Sequence, residues 1–289
     1  MNNYSIVQKN SHIKQVKQSL YHLLLLVFGL ILLFPFYWLI SSSFKTNVEI
    51  FSREMVWIPE NLRWENFAIG WKALPPYTYT LFFKNSFIIA GINVIGWILS
   101  NTLVAYGFAR LSFKYKDQLF IVLLATMMLP YQVTMIPVYI LFSNLHLVDS
   151  YVPLTLGSFF GSAFFIFLLR QFMMGIPFEL DESAVCDGCS PFQIFHKIIL
   201  PLCKPAIFTV ILFSFSESYD DFMGPLIYIN SISKFPIPLA LRMFVSNEGR
   251  MDWGPILAMT LVSLLPPLLV FLGAQKNLIE GISTTGLKG

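Results

Sequence analysis

The sequence predicts an all-α integral membrane protein built on six transmembrane helices. Composition is the first observation behind that expectation: 56% of the 289 residues are hydrophobic and only 12% are charged, against about 25% charged in a typical soluble domain. A deficit of that size leaves most side chains without water to face, and mean hydropathy is accordingly positive, at +0.66. Second, six apolar stretches each approach the roughly 20 residues that a helix needs to cross the hydrocarbon core. Third, those stretches are long and lack the period-2 alternation of a membrane β-barrel, so helices are the expected spanning element. The 29 phenylalanines suit lipid-facing surface, and a net charge of +3 gives a nucleic-acid partner no support.

In chain order the expected spans cover about 21–43, 83–109, 119–142, 152–173, 206–229 and 255–274. The first follows Lys9, Lys14 and Lys17, as a secretory signal would. Its apolar run is too long for one, and Ser41-Ser42-Ser43-Phe44-Lys45 is not a clear small-residue cleavage site, so an uncleaved anchor is expected. Pro130 and Pro137 are expected to kink the third span and free backbone groups that need a cavity or a neighbour. Gly157-x3-Gly161 in the fourth, with Ser158 and Ser162, reads as a small-residue packing face rather than a solute contact. The chain thus divides into a short segment at 1–20, a six-helix membrane domain at 21–274 and a tail at 275–289.

Lys and Arg in the short flanking segments set the orientation. The first segment carries three Lys and no acid, the loop after span two carries Arg110, Lys114 and Lys116, and the loop after span three carries Asp149 and no Lys or Arg. Both termini are therefore expected inside. Outer loops fall at about 44–82, 143–151 and 230–254, and the large inner loop at about 174–205.

That inner loop has its own punctuation. Pro177 suits a first helical turn, and Glu179, Asp181 and Glu182 follow where a helix dipole favours acids. Asp187-Gly188 reads as a stop. Ser190-Pro191 reads as the cap and first position of a second helix, along which Phe192, Phe195, Ile198 and Ile199 recur at helical spacing. Pro201 and Pro205 are expected to end that helix before span five. The result is a helix, a sharp turn and a helix, with an apolar stripe that must bury against the membrane interface or a partner.

The loop resembles the EAA loop of permease subunits of bacterial ABC importers. The family pattern of Glu-Ala-Ala, then Gly, then Leu-Pro stands here as Glu182-Ser183-Ala184, Asp187-Gly188 and Leu200-Pro201, with Ser183 replacing the first Ala. The resemblance implies that the segment is the coupling helix seated in a cleft of the ATP-hydrolysing subunit, with Glu182 facing a basic residue there and Gly188 making the turn. The tail from Gln275, the Phe34-Pro35-Phe36-Tyr37-Trp38 opening and the Tyr219-Asp220-Asp221-Phe222 stretch are similar to the sugar-uptake branch, of the maltose-transporter type. Tyr219 and Asp220 depart from its usual Trp-Asn. So read, the chain is half of a translocation pathway for a sugar or oligosaccharide, in the bacterial inner membrane. It would be paired with a second, homologous permease subunit, two ATPase subunits and an external solute-binding protein. Within that class a phosphate ester is the alternative solute; outside it, a stand-alone ion-coupled carrier is the alternative protein.

The chain is expected to hold no cofactor and to catalyse nothing itself, with ATP and Mg bound by the partner ATPase. The nearest approach to a phosphate-wrapping Gly-x4-Gly-Lys-Ser/Thr loop is Gly281-x4-Gly286-Leu287-Lys288, one residue out, lacking the hydroxyl and following a span rather than a strand. Cys186-x-x-Cys189 has half-zinc or redox spacing but no second pair, so two small residues flanking a turn is preferred. Four scattered His make no metal set.

Polar residues inside the membrane remain. Glu217, Asp220 and Asp221 fall in span five, where a mid-bilayer charge costs roughly 2.5–3.5 kcal/mol on insertion scales. As a continuous helix that span would set all three on one face, with Tyr219 near. The face either lines the path, where carboxylates and aromatic rings suit a hydroxyl-rich solute, or makes an inter-subunit polar contact or a cap on the outer loop. Tyr131 and Gln132, beside the Pro130 kink, are further pathway candidates.

Overall fold

The computed structural model describes the backbone of residues 2–246 and 252–286, and side chains over 17–244 and 252–275. The tail side chains beyond Gln275, Lys9 and Lys14 at the start, and residues 247–251 of the last outer loop lie outside that description.

Fifteen α-helices, several of only one turn, two 3-10 turns (Leu156–Phe160 and Ile232–Lys234) and a π-turn (Phe195–Ile199) make up the regular structure of the described residues, which include no strand. The α-helices are α1 (Asn2–Ser43), α2 (Asn47–Ile50), α3 (Glu65–Trp71), α4 (Tyr79–Arg110), α5 (Lys116–Thr126), α6 (Tyr131–Asn144), α7 (Val152–Thr155), α8 (Ala163–Met174) and α9 (Glu179–Cys186). After them come α10 (Pro191–Ile194), α11 (Leu200–Leu202), α12 (Lys204–Tyr219), α13 (Met223–Tyr228), α14 (Ile237–Ser246) and α15 (Trp253–Gly286). Four stretches are long and apolar enough to cross a bilayer unaided: Lys17–Ser43, Tyr79–Arg110, Val152–Met174 and Trp253–Gln275. Two bent pairs, Lys116–Thr126 with Tyr131–Asn144 and Pro191–Leu202 with Lys204–Tyr219, raise the number to six.

The bends have local causes. Pro130, in an extended conformation, caps α6, and the residue before a proline is steered away from helix; the two halves of span three meet at 93°. Span four breaks at Gly161, whose φ of +86° suits glycine. The freed amide of Ser162 donates to the Asn101 side chain at 2.7 Å. Span five ends at Tyr219 rather than near Ile229, and a separate helix, α13, follows it. Pro201 does not end the hairpin's second helix, which runs through a π-turn at Phe195–Ile199 into α11. Pro205 opens α12 instead, in the first turn where its missing N–H is not needed.

The chain forms two compact units: residues 1–70 with 250–262, and residues 71–249 with 263–289. In the first, the loop after α1 is stapled to that helix. Tyr37 and Ser41 hydroxyls donate to the Trp57 carbonyl at 2.8 and 2.6 Å. Buried Asn66 donates to the carbonyls of Ser43 and Lys45, and Lys45 lies over the Trp38 ring.

In the second, α4 is the central post, packed along α12 and α8. Three asparagines on it, Asn85, Asn93 and Asn101, bond other elements: Asn85 donates to Ser233 and Phe235, Asn93 to Leu154, and Asn101 accepts from Ser162. Close packing uses Gly96 of α4 against Ser158, where an added Cβ would lie 2.1 Å from the hydroxyl. Of the expected small-residue face, Ser158 makes this contact and a Cβ on Gly161 would lie 3.1 Å from Ile166, whereas one on Gly157 would meet nothing within 4 Å. Asp149, in the left-handed region at φ 59°, accepts from the Asn230 and Ser231 amides, the Ser231 hydroxyl and Lys234. Those bonds, the Ser231 hydroxyl first, hold its carboxyl well below the usual value.

Candidate functional site

The hairpin takes its stop and its second cap where the sequence puts them, but Pro177, expected in the first turn, lies ahead of the Phe178 cap of α9. Glu179, Asp181 and Glu182 occupy the first turn of α9. Beyond Asp187, Gly188 takes φ +82°; its amide donates to Val185 O at 3.0 Å and that of Cys189 to Ala184 O at 2.9 Å, closing the helix end. Ser190 caps α10 in a reciprocal box with Gln193. The departure at Ser183 is locally harmless, since its exposed hydroxyl donates to Glu179 O one turn back.

The hairpin has two faces. Ala184, Ile194, Phe195, Ile199 and Cys203 join a core with Ala105, Tyr106, Leu169 and Met173. On the other side Glu182, Asp187 and Gly188 are exposed, together with Phe178, Val185 and Phe192. Pro201 is exposed and Leu200 half-buried. Beneath α9 lies a cavity of about 380 Å³ lined by Tyr106, Arg110, Phe178, Asp181, Cys186 and others. Arg110 and Asp181 form a nearly buried ion pair there. Burial pushes the Asp181 carboxyl above its usual value, and Arg110 opposes that rise.

The second place lies at the end of α12. Because the helix stops, the three acids do not share one helical face. Glu217 and Asp221 line a cavity of about 290 Å³ with Trp97, Tyr131, Tyr228 and Asn93. Asp221 also accepts from the Gly224 amide at 3.0 Å, starting α13. Asp220 and Gln132 are exposed and outside that lining. Tyr219 is packed away: its hydroxyl donates to Ser263 O and its ring stacks on Phe215 at 5.3 Å. Among the described residues, no Lys or Arg lines the cavity. Sequence reasoning missed Asn93 and Trp97; the regular spacing of Asn85, Asn93 and Asn101 in an apolar helix is the signal that could have found the polar face.

A polytopic, all-helical membrane protein with an exposed hairpin between two spans is the class so defined. The family model described as "Binding-protein-dependent transport system inner membrane component" matches residues 92–283, and the chain belongs to that family: it is a multi-pass inner membrane permease component of the ABC type. It is 30% identical over 277 residues to the arabinooligosaccharides transport system permease protein AraQ of Bacillus subtilis (strain 168), covering 94% of this chain and 97% of that one. It is 31% identical over 265 residues to the sn-glycerol-3-phosphate transport system permease protein UgpE of Pectobacterium atrosepticum, covering 90% and 94%. In three dimensions it is similar to a chain of a bacterial ABC transporter involved in import of the acidic polysaccharide alginate. The TM-score there is 0.79 at 19% identity, covering 91% of this chain and 96% of that one, which shows the shared fold.

Proposed function

We propose that this chain is one of two homologous permease subunits in a carbohydrate importer, and that the 179–202 hairpin is its contact with an ATPase subunit. The carrying observation is the hairpin's open face, where Phe178, Val185 and Phe192 stand exposed around Glu182 and the Gly188 turn. Positive-inside charge puts that face in the cytoplasm with both termini. ATP-driven closure of two ATPases displaces the hairpins, and the central cavity alternates its access. An external solute-binding protein delivers the solute to the outer loops. ATP and Mg stay with the ATPase.

Glu217 and Asp221, with Trp97, Tyr131 and Tyr228, form this subunit's share of the path. The similarity to a glycerol-phosphate permease supports a phosphate-ester solute as a second reading. The acidic, cation-free lining favours an uncharged, hydroxyl-rich one. Co-purification of the complex, followed by ATPase stimulation against a panel of neutral oligosaccharides and phosphate esters, tests both. Absence of any co-purifying ATPase, with Gly188→Val leaving uptake intact, defeats the proposal.

A further inference from the structure

Arg110 closes α4 at a point where three elements meet. Its Nη1 lies 3.0 Å from Oδ2 of Asp181, in the first turn of α9. Its Nη2 donates to the carbonyls of Met173 and Ile176, each at 2.8 Å, at the end of α8 and in the lead-in to α9. Phe178 faces the guanidinium at 5.4 Å. The two ion-pair side chains are only 5% and 10% exposed.

The pair is badly made for a stability element. Neither carboxylate oxygen of Asp181 nor Nε of Arg110 has a hydrogen-bond partner. Desolvating two charges offsets most of their attraction when the geometry is incomplete, and well-packed apolar residues often serve as well. An apolar contact, however, is non-directional. The directional part is the fork's two hydrogen bonds to the Met173 and Ile176 carbonyls; the Asp181 carboxylate adds a 3.0 Å ion pair, and together they restrict how the pieces sit relative to one another. The hairpin is continuous in sequence with α8 and α12, but it meets α4 only through space. That meeting consists of apolar packing, the Tyr106 hydroxyl donating to Pro191 O at 3.0 Å, and Arg110.

We propose that Arg110 is a positioning residue: through Asp181 it locks α9 to the end of α4, so that span two moves as one body with the hairpin. The lock rests on the coupling function proposed above and adds to it. The hairpin's stroke then reaches the central post of the larger unit directly, in addition to spans four and five.

Spin labels test this in the complex purified from membranes with its ATPase. One label goes on E179C at the exposed start of α9 and one on K114C just beyond α4, both outside the cavity around Arg110 and Asp181, with Cys186→Ser and Cys189→Ser removing the accessible free thiols. The inter-label distance is measured without nucleotide and after trapping with ATP and vanadate. With the lock intact, one narrow distance persists in both states. Asp181→Asn keeps the shape and removes the charge; Arg110→Lys keeps the charge and removes the fork. Each is expected to add a second distance population on trapping, and to raise ATP hydrolysed per solute imported at least about fivefold, the scale of an ordinary coupling energy.

A changing distance in the parent, or an unchanged one in both variants, overturns the lock. So does failure of both variants to assemble, which would make the pair structural. Gly188→Val in the same preparation separates the causes. If it abolishes uptake while the Arg110 and Asp181 variants behave as the parent, the lock alone is wrong. If it too is silent, the coupling function fails with it.

Discussion

Gly188 sits at φ +82° with open space where a side chain would go. A substitution there meets no clash, only the backbone cost of a left-handed conformation, about 1–2 kcal/mol for an ordinary L-residue. Gly188→Val should therefore leave expression and membrane insertion intact but misplace Glu182 relative to α10. Gly188→Asn, which tolerates that region, should retain most uptake. Uptake assays on the two variants side by side check the ordering. Asp149 offers a different lever. Its carboxyl is held below its ordinary value by the Ser231, Lys234 and Asn230 bonds. The associated stability is fully present above the ordinary carboxylate value and is lost as pH falls through the folded one. Asn is tolerated at its φ of 59°, so Asp149→Asn isolates the charge. The variant's unfolding midpoint in detergent should lie below the parent's at neutral pH, and the gap should begin to narrow only once pH falls below the ordinary carboxylate value; a gap that stays constant there contradicts the assignment. Single residues were legible where chemistry is local, as in the Ser190 cap ahead of Pro191. They were illegible where partners lie far apart, as for Arg110 and Asp181, because no periodicity connects positions separated by two spans.

Elements show the same division. Hydropathy located the six apolar runs, since burial in lipid depends on composition alone. It ran straight through the breaks at Asp220–Phe222 and Gly161, because a break inside the membrane needs only a neighbour to satisfy the freed backbone groups. Asn101 supplies one for Ser162, and the Asp221 side chain supplies one for Gly224. Helix packing also went to a different glycine. A Cβ on Gly96 would stand 2.1 Å from Oγ and 2.9 Å from Cβ of Ser158, and both belong to well-packed backbone segments. Gly96→Ala should cost about 1–3 kcal/mol through overpacking, read as a lower unfolding midpoint in detergent. Ser158→Gly in the same chain should recover most of it. If the double variant is no better than Gly96→Ala, α4 and the 156–160 turn do not meet as described.

At the scale of the whole molecule, the family explains why so much apolar surface is left open. Side chains along α5, α6 and the 17–40 part of α1 are exposed over most of their length, and in the assembly proposed above lipid, a second permease and an ATPase would be three kinds of cover for them. In the proposed assembly, the cavity at the end of α12 constrains the solute. An anionic group held about 6 Å from one carboxylate meets a repulsion of about 3 kcal/mol at an effective dielectric of about 20. With water in the cleft and mobile ions screening that field, about tenfold discrimination against an anion is the expected remainder. Three substitutions sort the possibilities. Glu217→Gln and Asp221→Asn should each lower uptake of a neutral oligosaccharide without changing the solute-binding protein's affinity for it. Asp220→Asn, outside the lining, should leave uptake near the parent level. In the Glu217→Gln, Asp221→Asn double variant, the preference for a neutral oligosaccharide over its uronic-acid analogue should shrink by about the same tenfold, since the repelling charges are gone. Equal effects at Asp220 and Asp221, or a preference that survives the double change, would place the solute elsewhere and return both carboxylates to the contact between subunits.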